Sequence, residues 1–256
     1  MADATAASSL SVGKVVGSSA NESMAYKSTT APPKVVVLFG PPGSGKGTQS
    51  RILERELSDW SHIDFGQTLR AAVRARTPSG REILDSGLFE AGKVLPPRLV
   101  FKILIEAMEQ MRRDGKSAFI LDGICRTLDA AQYVAEHMRV VCCVNLRISE
   151  DEIIERVRGR YIHKASGRTY HVDHNMPEIP GVDDITGEPI QKRANDTPEG
   201  IRKRMMVHRN VSAPVLGFFR KRGIPVVDID ATEPIASVTL KIKKVLSACG
   251  VSGRVA

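Results

Sequence analysis

The feature that most restricts the fold of this chain is a glycine-rich segment placed directly after a short apolar run. The run is Val35–Phe39, and the segment is Gly40–Thr48, with the sequence Gly-Pro-Pro-Gly-Ser-Gly-Lys-Gly-Thr. Consecutive apolar residues predict a strand buried on both faces, and the residues that follow the segment have a helical pattern to about Leu57. Glycines permit positive φ and let backbone N–H groups approach an anion at a helix N-terminus. The order of strand, loop and helix predicts a phosphate-binding loop.

Two side chains of this loop carry charge or metal-binding chemistry. Lys46 would place a full positive charge at the β- and γ-phosphates of a nucleotide, and Thr48 would orient Mg²⁺ or its water. The strict pattern has Ser or Thr directly after the lysine, whereas Gly47 stands there in this chain. A glycine-rich turn with a surface lysine is the alternative interpretation, and it explains the order of elements less well. The residues expected around the phosphates are Gly43, Ser44, Gly45, Lys46, Gly47 and Thr48.

Beyond the loop, the chain alternates between strand-like and helix-like segments. Further strands are predicted at His62–Asp64, Ala118–Leu121, Val140–Val144 and Ile224–Ile229. Further helices are predicted at Leu99–Met111, Gln132–Met138 and Pro234–Ala248. Such alternation implies right-handed crossovers and a parallel sheet with helices on both faces. The predicted fold class is therefore α/β, with a parallel sheet of about five strands.

Two segments interrupt the alternation, and a third precedes it. Residues 64–97 resemble a helical insertion, and residues 160–195 carry few apolar residues and many turn formers. A loop of that length in a compact domain is usually functional or a small subdomain. Residues 1–33 are rich in Ala, Ser and Thr and predict a flexible extension before a folded domain at 34–249. A cleaved mitochondrial leader is the alternative, although such leaders are usually rich in arginine.

The composition limits the class of protein. Hydrophobic residues make up 42% and charged residues 26% of the 256 residues, as in ordinary globular proteins. No run approaches the roughly 18 apolar residues of a membrane helix, so we expect no membrane association. The four cysteines form no CxxC, which argues against a zinc ribbon and favours a reducing compartment, the cytoplasm or alternatively the mitochondrion. The net charge of +8 suits polyanionic partners, but 5% aromatic residues argue against nucleic-acid binding.

Taken together, the motifs resemble those of the adenylate kinases and related nucleoside monophosphate kinases. The GxPGxGKGT form of the loop is similar to the family's phosphate loop. Further segments similar to family motifs follow in order at His62–Arg70, Gly92–Pro96, Asp122–Thr127, Arg156–Arg160, His163–Tyr170 and Asp183–Glu188. The resemblance covers roughly residues 34–247 and implies a P-loop nucleoside kinase fold with a monophosphate-binding insertion at about 64–97 and a long lid at about 160–195. It also implies a monomeric enzyme that transfers the γ-phosphoryl group of MgATP reversibly to AMP, giving two ADP.

The resemblance also assigns roles to individual residues. Phosphoryl transfer spreads charge over oxygens that guanidinium groups bind in two places at once. The implied catalytic charges are Lys46, Arg126, Arg160, Arg193 and Arg204. On the ATP side, Arg156, Thr169, Tyr170 and Glu233 join the loop residues. The AMP side comprises Phe65, Arg70, Lys93, Val94, Leu95, Gly123, Ile124, Cys125, Arg126, Ala130, Arg193 and Arg204. Asp122, which ends a predicted strand, would hold Mg²⁺ through water.

The lid departs from relatives that stabilise it with four cysteines and zinc. At the corresponding places stand His163, Ser166, Asp183 and Thr186, a set similar to the hydrogen-bonded substitute of zinc-free members. A structural zinc site requires four ligands, and His163 with Asp183 supplies two. We therefore expect a structural role for this quartet and no zinc.

The acceptor side departs further from the family pattern. Phe65 stands in place of a threonine that helps read the acceptor adenine, Gln67 in place of an aspartate, and Ala130 in place of a base-binding glutamine. Ile124-Cys125 replaces the usual Phe-Pro pair, and Gln132 lies near enough in sequence to compensate for Ala130. Loss of a hydrogen-bond partner in a base pocket changes discrimination strongly. Three accounts of the function stay open. In the first, AMP is the acceptor and its base is read through backbone groups near residues 93–95. In the second, the enzyme prefers another monophosphate as acceptor or uses GTP as donor, and in the third the protein is a low-activity nucleotide sensor or scaffold.

Overall fold

The computed structural model describes residues 31–89 and 95–251, and its main element is a parallel sheet. The strands in chain order are β1 (Lys34–Phe39), β2 (Trp60–Asp64), β3 (Ala118–Asp122), β4 (Arg139–Arg147), β5 (Arg160–Ile162), β6 (Thr169–His171) and β7 (Val226–Asp230). Five of them form the sheet in the order β2-β3-β1-β4-β7, with every neighbouring pair parallel. The prediction of a five-stranded parallel α/β sheet is confirmed. β5 and β6 form a separate antiparallel pair.

Helices cover both faces of this sheet. They are α1 (Lys46–Glu56), α2 (Phe65–Arg74), α3 (Pro78–Asp85), α4 (Pro97–Arg113), α5 (Leu128–His137), α6 (Glu150–Arg158), α7 (Pro198–Val207), α8 (Ala213–Lys221) and α9 (Ile235–Ala248). A π-helical turn, His208–Ser212, joins α7 to α8. Within the described ranges, none of these helices combines the length and hydropathy that a bilayer crossing needs.

The structure differs from the sequence-based prediction mainly at the helices. The helix expected from Gln132 begins at Leu128, because the Thr127 side chain accepts a hydrogen bond from the Ala130 backbone N–H and caps it. Helices α6 to α8 were not predicted, since charged residues mask the apolar spacing of α6 and α7, and Pro214 and Gly217 interrupt the pattern of α8. A usable signal was present nonetheless: Ser149 and Glu152 form a capping box at the start of α6.

The sheet is buried on both faces, as the apolar run of β1 predicted. Val35 and Val37 face one apolar cluster together with Phe119 and Phe219. Val36 and Leu38 face the other cluster, which contains residues of α1 and α9. Because all five strands of this sheet are parallel, the carboxyl ends of β1, β2 and β3 meet at one edge, where open α/β sheets bind ligands.

The insertion has a small apolar core of its own. Ile83 and Ile103 are buried there, with Ala72 and Leu99 beside them. Glu106 of α4 joins the helices, since it accepts hydrogen bonds from the Thr77 hydroxyl at 2.9 Å and from the Ser79 hydroxyl at 2.8 Å. These contacts fix α2 and α3 against α4 and thereby position the residues that α2 carries.

Candidate active site

A cavity of about 920 Å³ opens between the carboxyl edge of the sheet and the segment that contains β5 and β6. It gathers all of the residues predicted to surround the donor phosphates and most of the predicted cations. The predicted residues that line it are Gly43, Ser44, Gly45, Lys46, Gly47, Thr48, Asp122, Gly123, Cys125, Arg126, Arg156, Arg160, Thr169, Tyr170, Arg193, Arg204 and Glu233. Residues more than 190 positions apart in the sequence thus face one space.

The glycine-rich loop is shaped to hold an anion. Gly43 and Gly45 have φ of 90° and 93°, a region that favours glycine, and a Cβ at Gly43 would lie 2.7 Å from Ile153 Cγ2. The Lys46 ammonium donates to the carbonyl oxygens of Gly40 and Pro41, both at 2.9 Å, and burial lowers its pKa. The Ser44 hydroxyl is buried and has no hydrogen-bond partner among the residues described. The loop therefore presents donors that a phosphate can satisfy.

Two carboxylates stand side by side at the edge of the sheet. Asp64 ends β2, Asp122 ends β3, and the two are partners in the register of these strands. Burial opposes ionisation of Asp122, but the His62 ring and the Lys46 ammonium outweigh it, so that its pKa is lowered. A Cβ at Gly47 would lie 3.6 Å from Asp122 Oδ2, so this carboxylate faces the first turn of α1. The oxygens of Thr48 and Asp122 are hard ligands of the kind that Mg²⁺ prefers.

Arg160, Arg193 and Arg204 line the cavity around Asp196, a carboxylate that the sequence analysis did not single out. Asp196 accepts two hydrogen bonds from Arg160, at 2.7 and 2.5 Å, and one from Arg204 at 2.8 Å. Arg193 lies beside them, and burial together with the neighbouring arginines lowers its pKa. Asp196 thus orients two guanidinium groups, and because three arginines surround this one carboxylate, this side of the cavity keeps a net positive charge. The sequence signal was the isolated acid three residues after Arg193.

The further residues assigned to ATP line the same cavity. Arg156 of α6 donates to the carbonyl oxygen of Ala231, which follows β7. Glu233 pairs with Lys241 of α9, and Thr169 and Tyr170 come from β6. The Arg156 guanidinium is partly buried, and this desolvation lowers its pKa.

The acceptor residues are less completely gathered. Arg70 borders a second cavity between α2 and the lid, while Phe65 packs against the apolar clusters around α2 and the sheet. Ile124 and Ala130 are buried, Leu95 packs against the insertion core, and Gln132 is exposed. Lys93 and Val94 lie outside the described residues. The predicted phosphate-binding residues other than Arg70 line one cavity, whereas the residues predicted to bind the acceptor base do not.

The lid quartet forms a hydrogen-bonded network that is larger than predicted. His163 Nδ1 contacts the Ser166 hydroxyl at 2.8 Å, and Nε2 contacts the Glu188 carboxylate at 2.5 Å. Asp183 accepts from Arg168 at 2.7 and 2.5 Å. It also accepts from the hydroxyl of Tyr170 at 2.8 Å and from that of Thr186 at 2.9 Å. The hydrogen bond from Arg168 is the main cause that holds the pKa of Asp183 far below its usual range. Sequence reasoning missed Arg168, Glu188 and the structural use of the Tyr170 hydroxyl.

A group of possible metal ligands on the lid is already engaged in hydrogen bonds. His171, Asp173 and His174 place ligand atoms within 4.8 Å of one another. However, His171 Nε2 faces the carbonyl oxygen of Arg156 at 2.9 Å, and Nδ1 accepts from the Asp173 backbone N–H at 3.1 Å. Nε2 therefore connects β6 to α6, and Nδ1 is engaged by the turn that follows β6.

Three more cavity residues were not predicted. His208 begins the π-helical turn, and burial together with the nearby Lys46 lowers its pKa to about 4, so it is neutral at pH 7. Ser212 ends that turn and donates to the carbonyl oxygen of Arg126 at 2.9 Å. Arg51 of α1 also lines the cavity. None of the three belongs to a recognisable motif, and they reach the site only through the placement of α1 and of the turn between α7 and α8.

Comparisons with known proteins agree with this geometry. The family model described as "Adenylate kinase" matches residues 38–224. Adenylate kinase 4 of Oryza sativa subsp. japonica is 38% identical over 226 residues, which cover 86% of this chain and 90% of the relative. Adenylate kinase of Chloroherpeton thalassium is 33% identical over 217 residues, covering 83% and 97%. Adenylate kinase of Coxiella burnetii is 37% identical over 188 residues, covering 73% and 79%. The chain belongs to the adenylate kinase family.

Proposed function

We propose that this protein is an ATP:AMP phosphotransferase, which transfers the γ-phosphoryl group of MgATP reversibly to AMP and releases two ADP. The observation that carries the proposal is that one cavity is lined by the phosphate loop, by Asp122 and by the predicted catalytic arginines, Arg126, Arg160, Arg193 and Arg204. The similar proteins from plants and bacteria are named adenylate kinases. No observation favours the sensor or scaffold alternative.

The chemistry follows from positioning and charge. The loop backbone and Lys46 hold the donor phosphates, and Arg126, Arg160, Arg193 and Arg204 neutralise the charge that spreads over the transferred group. No general base is needed, because the attacking group is a phosphate oxygen that is already ionised. The magnesium arrives with ATP as part of the substrate, and Thr48 and Asp122 would hold it, the carboxylate through water. The phosphoryl group then passes between two anchored nucleotides.

Closure over the substrates is supported by a contact between the two insertions. Arg70 of α2 donates to the carbonyl oxygen of Ser166 in the lid at 3.4 Å. We propose that residues 64–97 bind the acceptor, that residues 160–195 act as the lid, and that their approach excludes water, which would otherwise accept the phosphoryl group. The hydrogen bonds of the quartet support a lid that is stable without zinc.

The acceptor base is the part of the proposal that most needs a test. Purified protein with MgATP should form diphosphates from AMP faster than from GMP, CMP or UMP, because backbone groups near residues 93–95 would read the adenine. GTP in place of ATP tests the donor base. Lys46→Met is the control, since loss of the loop charge should abolish turnover while the protein stays folded. A preference for another monophosphate would contradict the assignment of AMP, and no turnover with any would favour the sensor.

The assembly and compartment are separate proposals. We propose a monomer of the cytoplasm, with the mitochondrion as the alternative if residues 1–33 form a leader. Size-exclusion chromatography with light scattering tests the first. Imaging of fluorescent fusions of the full chain and of a chain without residues 1–33 tests the second.

A further inference from the structure

Arg51 is a cation inside the catalytic cavity that belongs to none of the family motifs. It lies on α1 and lines the same space as the phosphate loop. Gly47 precedes it by four residues, so both lie on one face of the helix. A Cβ at Gly47 would contact Asp122, and this face of α1 is therefore directed at the ends of β2 and β3. The Arg51 side chain accordingly reaches the cavity from α1.

The surroundings of Arg51 give its charge no close protein partner. Desolvation is the main cause that lowers its pKa, and Asp64, Asp122 and Tyr170 act on it only at longer range. Within residues 31–89 and 95–251, its guanidinium makes no hydrogen bond or ion pair. An arginine remains protonated at neutral pH, so a partly desolvated and unpaired cation is costly. By contrast, Arg160 and Arg204, which line the same cavity, both form ion pairs with Asp196.

The two nearby carboxylates already have other roles. Asp64 caps α2 by accepting from the Gln67 backbone N–H at 2.9 Å. Asp122 lies 3.9 Å from the His62 ring and next to the first turn of α1. No carboxylate of residues 31–89 and 95–251 pairs with Arg51, so we expect a phosphate group of the nucleotides to complete its coordination.

We propose that Arg51 binds a phosphate of the nucleotides and is a further catalytic cation of the reaction centre, acting from the α1 wall. The proposal rests on the phosphotransferase function proposed above. Together with Arg51 of α1, Arg126 after β3 and the arginines of the lid would place positive charge on several sides of the transferred group. A planar guanidinium at this position binds two phosphate oxygens at once, which an ammonium cannot do.

The test compares Arg51→Gln and Arg51→Lys with Arg55→Gln. Arg55 lies one turn further along the same helix and is exposed, so it matches the change in charge without reaching the cavity. Steady-state rates are measured with ATP and AMP varied separately. We expect Arg51→Gln to lower kcat/KM by about 10-fold or more, as for the loss of one charge-assisted contact. Arg51→Lys should restore part of the rate, and Arg55→Gln should match the unmodified protein. The nucleotide whose KM rises identifies the phosphate that is bound.

Two further measurements keep this inference separate from the proposed function. If Arg51→Gln lowers the melting temperature but leaves both KM values and kcat unchanged, Arg51 is only a counter-ion of the carboxylates and the proposal is wrong. If the unmodified protein forms no diphosphate, the phosphotransferase assignment fails, and calorimetric titration with MgATP and with AMP then decides about Arg51. Weaker binding by Arg51→Gln than by Arg55→Gln would support the contact, and equal binding would overturn it.

Discussion

The central sheet and the lid of this protein are stabilised by different interactions. In the sheet, most of the buried groups are apolar, and Phe119 and Ile120 are 0% exposed. In the lid, the buried groups are polar: Asp183 is 1% and His163 is 2% exposed, while the lid residue Ile185 is 74% exposed. The sheet depends on the hydrophobic effect, and the lid depends on one carboxylate that collects donors from Arg168, Tyr170 and Thr186.

The difference suits the movements that the proposed reaction requires. Separating two apolar surfaces exposes them to water and is opposed by the hydrophobic effect. The lid network lies within the lid itself, and the lid meets the insertion through the polar contact of Arg70 with Ser166. We therefore expect the proposed lid, residues 160–195, to open and close as a unit at little cost while the sheet holds the phosphate loop fixed. Elements that move in catalysis are commonly of this weakly attached kind.

The largest effect is expected for Asp183→Ala, which should disrupt the lid and leave the sheet intact. The change leaves the Arg168 guanidinium and the Tyr170 hydroxyl without their acceptor, which is costly for buried groups. We expect kcat/KM to fall by about 100-fold or more, because loss of a buried ionic partner costs several kcal/mol. The main unfolding transition, followed by circular dichroism, should shift little.

Phe119→Ala is the matching change in the sheet. It removes a fully buried ring from β3 and should lower the free energy of unfolding by about 3–5 kcal/mol. Below its melting temperature, this variant should keep most of its turnover. If Asp183→Ala instead lowered the global stability as much as Phe119→Ala, the lid and the sheet would be one cooperative unit and the comparison would be wrong.

The next largest effect is expected for Asp196→Asn. The amide keeps the shape but loses the charge that orients Arg160 and Arg204, so both guanidinium groups lose their anchor. We expect kcat to fall by about 10-fold or more, with a smaller change in either KM, since these arginines act mainly in the transition state. Asn195→Ala is the control, because Asn195 supplies only its backbone carbonyl oxygen to Arg204. An equal loss in both variants would contradict a role of the Asp196 charge.

Gly167→Ala tests the contact between the lid and the insertion. A Cβ at this position would lie 1.8 Å from the Arg70 guanidinium, so the closed arrangement should be disfavoured. We expect kcat/KM to fall by about 10-fold, from a clash and a strained φ that together cost 1–3 kcal/mol. Gly187→Ala is the matched control: its φ of 69° resembles the 76° of Gly167, but a Cβ there meets no atom within 4 Å. Similar losses in both variants would attribute the effect to backbone strain alone.

The smallest effect is expected when the pH is lowered from 7 to 5, where the lid should remain equally stable. Because the pKa of Asp183 is lowered in the folded lid, its stabilisation is complete above the ordinary value of 3.8 and is lost only as the pH falls through the lower folded value. Limited proteolysis of the lid should therefore proceed equally at pH 7 and pH 5. Faster cleavage at pH 5 would show that another titrating group controls the network.

Much of the architecture was predictable from local patterns. The apolar run before Gly40 and the alternation of strands and helices predicted the parallel sheet, and the loop motif predicted the cavity edge. The charges of Lys46, Arg126 and Arg160 were predictable because their motifs have fixed spacing. The helices α6 to α8 were not, since their polar faces obscure the apolar period that marks a helix.

The sequence alone determined the prediction of which residues bind phosphate, because loop geometry and charge are local properties of a short motif. Only the tertiary structure decided how those charges are held and completed. Asp196 anchors two arginines, Asp183 collects the lid donors, and Arg51 enters the cavity from α1. Each of these arrangements joins segments that are distant in sequence or depends on the face that a helix turns to the sheet. No short motif records such contacts, because they arise from packing and from the requirement that buried charges find partners.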